Sequence, residues 1–179
     1  MSKKHLYNLT ATAMMTALSI VFERIITITP AANTMDIRIT LANIPIILAG
    51  IFVSPVMGAV CGVVSDLLGC VISGYTPFPI LTLAPLVMGF LTGFVVKVYG
   101  ERKLAESRVA ARYTLLALSV AFSHIVSSFV ITTYGLSVMR GVGFAPMFIT
   151  RVPTMLVGVA IDVFAVCVLY VPLKKALKK

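Results

Sequence analysis

Gly58, Gly62, Asp66 and Gly69, within "GAVCGVVSDLLGCVISGYTPFP", are spaced i, i+4, i+8 and i+11, so a helix puts them on one face. Glycines there admit a second helix or a ligand, and they turn the lone carboxylate of Asp66 inward. An ionised carboxylate accepts two parallel N–H bonds, as from an amino-pyrimidinone edge. Three readings of Asp66 stand: such a ligand contact, a structural ion pair with an arginine, or a helix-to-helix hydrogen bond. Arg24, Arg38, Arg140 and Arg151 form a second set. Arginine grips a carboxylate with a planar fork of donors, which lysine lacks, so an anionic ligand group is the natural partner. Glu23 beside Arg24 and Asp36 beside Arg38 also allow local neutralising pairs. Tyr75 and Phe78, in "SGYTPFPILTLAP", either anchor the chain at an interface or stack on a flat heteroaromatic ring. His124, in "SVAFSHIVSSFVITTYG", is either satisfied by a neighbouring polar group or a ligand contact, and Asp162 four residues after Gly158 reads as a helix contact.

No Cys/His cluster has metal-ligand spacing, and neither a glycine-rich phosphate loop nor a nucleophile motif occurs. Without a clustered His/Asp/Glu constellation, a small membrane transferase is disfavoured. Cys61, Cys70 and Cys167 all lie in apolar runs. The first two stand about 13 Å apart on a helix, too far to bridge.

The elements that position these residues follow from composition. Of 179 residues, 59% are hydrophobic and 12% charged, with mean hydropathy +1.04, which suits lipid rather than water as solvent. Apolar runs over roughly 9–28, 41–54, 55–74, 80–98, 114–134 and 151–171 predict an all-α integral membrane protein with six transmembrane helices in one domain, 1–179. The first run holds Glu23-Arg24 near its end and lacks a small-residue cleavage site, so it reads as a retained helix. Pro55 predicts a tight break between the second and third spans, and Pro79/Pro85 open the fourth.

Six spans place Lys3, Lys4, Lys97, Arg102, Lys103, Arg108, Arg112, Lys174, Lys175, Lys178 and Lys179, eleven of the fifteen cations, on one side. The positive-inside rule makes that side, with both termini, cytoplasmic. Topology and lipid headgroups then account for the net charge of +9, and no nucleic-acid role is needed. The four arginines named above fall at or near the opposite face. Ala13 and Ala17, one turn apart in "LTATAMMTALSIVF", form a small-xxx-small surface for a partner helix or for packing within the bundle; Gly89 and Gly93 in "GFLTG" read as internal packing.

Together these features resemble the substrate-binding S component of energy-coupling factor (ECF) vitamin transporters, in particular the folate-specific branch. The strongest section is "RITLANIPIILAGIFVSPVMGAVCGVVSDLLGCVISGYTPFPILTLAPLVMGFLTGFV", similar to the family in its Arg-Ile, proline in a short second span, Gly-x3-Gly, Asp-Leu-Leu-Gly and aromatic-Pro loop. "ERIITITP" and Arg151 resemble the folate branch, while Ser54-Pro55 and "TPFPILT" depart from the usual Gly-Pro and Pro-Gly-Phe-Thr forms. The resemblance implies a high-affinity binding protein with no enzymatic activity, cofactor or metal, in the prokaryotic plasma membrane. It would capture folate or a reduced folate at the outer face, through Arg24, Arg38, Asp66, Tyr75, Phe78, His124 and Arg151. ATP-driven uptake would come from a coupling membrane subunit, docked at Ala13 and Ala17, and two ATPase subunits. The alternative is an S component for pantothenate, thiamine or a pyrimidine precursor.

Overall fold

The protein, seen in a computed structural model, is described over residues 3–25, 40–74, 76–99 and 109–177. Its packing inverts that of a water-soluble protein. Thr12, Thr16, Ser19, Ser65, Thr92, Ser119, Ser123 and Asp162 are buried, whereas Val71, Leu118, Ile149 and Phe164 are each at least 67% exposed. The hydroxyls named here are tolerated because each finds a carbonyl or another hydroxyl: Thr16 donates to Thr12 O at 2.9 Å, and Thr92 to Met88 O at 2.7 Å and Ser123 Oγ at 2.9 Å. An apolar exterior around a polar-threaded interior is what a lipid solvent favours.

Six helical rods make up the described residues. Helix α1 spans Lys3–Ile25, α2 Asn43–Phe52, α3 Pro55–Ser73 and α4 Pro79–Tyr99. The fifth rod comprises α5 (Val109–His124), a π-helical stretch (Ile125–Thr132) and α6 (Thr133–Arg140); α7 (Phe144–Leu177) is the sixth. Four stretches are long and apolar enough to cross a membrane: 55–73, 79–99, 111–140 and 144–174.

Local chemistry sets the breaks. Ser54 caps α3, its side chain accepting from Met57 N at 3.1 Å, and Pro55 follows at the first helical position, where its missing N–H removes no bond. Gly74 ends α3 in the left-handed region (φ +71°), as Gly141 does between α6 and α7 (φ +66°). Pro79 opens α4 as expected, but Pro85 lies inside it.

The crossings of α2, α3 and α4 are backbone against backbone. A Cβ on Gly89 would collide with the Gly58 carbonyl, one on Gly93 with the Gly50 carbonyl, and one on Gly62 with the Pro85 carbonyl. Helix α2, only 10 residues long, is thereby sunk among its neighbours, with Ile47 and Ala49 wholly buried. Its lower end packs into a core of Ile47, Leu116, Val120 and Val166, where Phe52 and Tyr170 stack at 5.4 Å.

Two departures from the expected boundaries affect the site. Ten residues of helix rise about 15 Å, half of the roughly 30 Å hydrocarbon layer, so the second span is a stub rather than a helix over 41–54. The last rod begins at Phe144, not near 151, which puts Arg151 two turns inside α7. A charged residue reads as a span boundary in sequence, but an arginine facing a polar cavity need not end a helix.

Candidate ligand-binding site

The stub leaves space above its N-terminus. A cavity of 420 Å³ opens there, walled by α1, Thr40 and Ala42, the start of α2, α3, the first turns of α4, the π-helical stretch, α6 and α7. Non-helical backbone at membrane depth is tolerated where it lines a cavity and its polar groups are met. Here Ser19 donates to Ala42 O at 2.8 Å, and Ala42 N donates to Thr40 Oγ1 at 3.2 Å. The volume falls within the usual range for a small-molecule pocket. The N-terminus of α2 at its edge adds partial positive charge.

Arg24, Asp66, Phe78 and Arg151, expected from sequence to act together, all line this cavity. Among the described residues the partner of Asp66 is Thr82, whose hydroxyl donates to Oδ2 at 2.7 Å, rather than an arginine. Among the described residues nothing engages its Oδ1. Arg24, near the C-terminus of α1, donates from Nη2 to the Gly69 carbonyl of α3. Glycine at 69 permits this approach, since a Cβ there would lie 3.0 Å from Glu23 Oε2. Across the cavity, Arg151 Nη1 donates to Thr133 Oγ1 at 3.2 Å, which aims the guanidinium from α7 toward the π-helical wall. Glu23 and Asp66 balance Arg24 and Arg151, so the described lining holds two charges of each sign.

His124 is not on the wall. It is 3% exposed, and its Nε2 lies 2.8 Å from Asp162 Oδ2, so the structure gives it a neighbouring polar partner. Arg140, exposed at the end of α6, does not line the cavity either. Arg38 and Tyr75 lie outside the described residues, as does Asp36. Ala13 and Ala17 both face outward on α1, away from the bundle, while Gly89 and Gly93 pack internally.

Sequence reasoning took Glu23 only as a local charge partner for Arg24, and passed over the lining residues Asn43, Ser128 and Thr132. The last two belong to the π-helical stretch, in which Thr132 Oγ1 donates to Ser127 O at 3.0 Å and Thr133 Oγ1 to Ser128 O at 3.1 Å, each five residues back. Such stretches are rare in helices and concentrate at functional sites. Its trace in the sequence is the polar pairing of Ser127-Ser128 with Thr132-Thr133, five residues apart rather than three or four.

The comparisons with known proteins agree with this architecture. The model of the family described as "ECF-type riboflavin transporter, S component" matches residues 3–179. The crystal structure of FolT bound with folic acid superposes with a TM-score of 0.67 at 22% identity, covering 88% of each chain. A search of curated proteins finds no match. That family is one of transporter components rather than enzymes, and it accounts for a helical membrane protein with a vitamin-sized cavity: the chain belongs to the ECF-type riboflavin transporter S-component family.

Proposed function

We propose that the protein is the folate-binding S component of an ECF transporter, capturing folate or a reduced folate in the cavity above α2. The observation that carries this reading is one carboxylate, Asp66, with an oxygen that no described residue engages, facing the same space as Phe78 and the guanidinium-bearing Arg24 and Arg151. A pterin presents a ring N–H and an exocyclic amino group side by side, which suits a carboxylate, and a flat ring that suits Phe78. The glutamate tail is anionic, which suits the arginines. Arg38 and Tyr75 belong to the same proposed site. The fold shared with folate-bound FolT is consistent with the assignment. His124 contributes from behind the wall.

A second reading, riboflavin, is favoured by the family's description. The chemistry of Asp66 separates the two. The flavin's pyrimidine edge flanks a single N–H with two carbonyl oxygens, which a carboxylate repels, and the uncharged vitamin gives the arginines no anion.

The wider reading is a single unit of six membrane-crossing rods with both termini in the cytoplasm of a prokaryotic cell, without catalysis, cofactor or metal. A coupling membrane subunit would dock on the outward face of α1 at Ala13 and Ala17, and two ATPase subunits would supply the energy. Calorimetric titration of the detergent-solubilised protein with folate, riboflavin, thiamine and pantothenate tests the assignment. Tight folate binding without ATP is expected; tight binding of another of the four, with none of folate, would move the protein to that vitamin.

A further inference from the structure

Behind the cavity, four side chains from three separate rods form one hydrogen-bonded chain. Asn43 Nδ2 donates to Asp162 Oδ2 at 3.1 Å, His124 Nε2 reaches the same oxygen at 2.8 Å, and Ser128 Oγ lies 3.4 Å from His124 Nδ1. The inner pair is buried, Asp162 completely, whereas the outer pair, Asn43 and Ser128, lines the cavity.

The direction of both bonds to Asp162 follows from its carboxylate. A carboxylate oxygen receiving two nitrogens can only accept, so the amide nitrogen of Asn43 faces it and the imidazole proton sits on Nε2. In a neutral ring Nδ1 is then the acceptor, and the Ser128 hydroxyl commits its single proton there. Asn43 is left with its carbonyl Oδ1, and Ser128 with its lone pairs, for the cavity.

Simple helix packing does not call for a carboxylate here. Burying one is unfavourable, and Oδ1 of Asp162 has no hydrogen-bond partner among the described residues. Hydroxyls join rods elsewhere in this protein without that penalty, as Thr92 and Ser123 do. What a carboxylate does that a hydroxyl does not is oblige both neighbours to point donors at it.

We infer that Asp162 and His124 are positioning residues that fix the hydrogen-bond polarity of this wall, making Asn43 and Ser128 an acceptor pair that selects a ligand bearing N–H or O–H donors at that place. The inference rests on the cavity being the vitamin site, and adds a specificity determinant separate from Asp66.

Two measurements on the full chain test it. The sequence has two histidines, His5 and His124, so a His5→Gln variant labelled with ¹⁵N-histidine reports His124 alone. The ligand-free protein in detergent should show the neutral Nε2–H tautomer; an Nδ1–H tautomer or an imidazolium overturns the inference, whatever the vitamin proves to be. The second measurement compares dissociation constants for folate and for analogues that each have one N–H methylated or removed. Asn43→Leu should weaken folate about tenfold or more while leaving one analogue, that lacking the donor Asn43 meets, unaffected. In Asp162→Asn the introduced amide can donate to the Asn43 carbonyl and turn the Asn43 NH₂ toward the cavity. Folate should then weaken, and that same analogue should bind as before or better. Equal losses across the whole series would mean a merely structural role and overturn the inference. If the wild type binds riboflavin and not folate, the vitamin assignment fails by itself, and riboflavin against its N3-methyl derivative makes the same comparison.

Discussion

At the scale of single residues, the proposed pterin contact of Asp66 gives the sharpest test of which ligand fits. Its Oδ2 is held by Thr82 at 2.7 Å, a bond that fixes the carboxylate and leaves Oδ1 toward the cavity. Asp66→Asn keeps the size, and an amide oxygen can still accept from Thr82, but one acceptor becomes a donor that opposes a pterin N–H. Truncating one side of a buried charge-assisted pair costs about 2–5 kcal/mol, or some 30- to several-thousand-fold in dissociation constant. Folate affinity should fall by a factor in that range, while the melting temperature of the ligand-free protein stays level or rises, because a poorly solvated charge has gone. Both are read on one preparation. A destabilised apo protein whose folded fraction binds folate normally would show Asp66 to be structural. Arg151 makes a companion case. It is held by Thr133, and Arg151→Lys preserves the charge but loses the fork. Folate should weaken more than a tail-less pterin does when both are titrated; equal weakening would remove Arg151 from the tail subsite.

At the scale of elements, glycines set how closely the rods cross and charge-bearing ends set where they meet. Gly89→Ala drives a Cβ into the Gly58 carbonyl, and backbone cannot rotate aside as a side chain can. A loss of about 1–3 kcal/mol is expected, measured as thermal unfolding in detergent. Gly158→Ala is the control, since nothing lies within 4 Å of its added Cβ. There the better helix propensity of alanine should leave stability unchanged or raise it by up to about 1 kcal/mol. Similar losses at both positions would argue that the close crossing contributes nothing. The outward face of α1 behaves differently. Ala13 and Ala17 are exposed on that face, so Trp at either position should leave folding and folate titration intact while abolishing uptake in cells that carry the energising subunits. Uptake at the wild-type rate with Trp at both sites would exclude this face as the docking surface. Much at this scale was legible in the sequence: the Gly58/Gly62/Asp66/Gly69 face, the Ser54-Pro55 break and the internal Gly89/Gly93 pair all follow from local spacing. The π-helical wall was not, because its hydrogen-bond shift leaves only a five-residue polar spacing in an otherwise apolar run. Asn43 was missed for a similar reason: a polar residue at a span boundary looks solvated unless the helix is known to stop inside the membrane.

At the scale of the whole molecule, the cavity exists because one rod is too short. Helix α2 supplies about 15 Å of a roughly 30 Å crossing, and the rest of that path is the cavity. Periodicity alone does not reveal this, since an apolar run of fourteen residues reads the same whether it ends at a surface or at a pocket. The orientation of the bundle, by contrast, is carried by charge. If the six rods alternate in direction, the first residues of α1, the last turn of α4, the first turn of α5 and the end of α7 share one side, and Lys97, Arg112 and Lys174 lie there with Lys3 and Lys4. The α6–α7 reversal at Gly141 then faces outward, on the side from which a vitamin arrives. With Cys61, Cys70 and Cys167 replaced by alanine, single cysteines at Ser2, Val142 and Lys179 give the test. A membrane-impermeant maleimide on right-side-out vesicles should label Val142→Cys, which is 42% exposed in the native protein, and leave Ser2→Cys and Lys179→Cys unlabelled until the vesicles are permeabilised. Labelling of both termini from outside would invert the bundle and place the cavity mouth on the cytoplasmic side, where it could not capture an external vitamin. Labelling of one terminus alone would mean an odd number of crossings, with α2 turning back inside the membrane instead of serving as the second span.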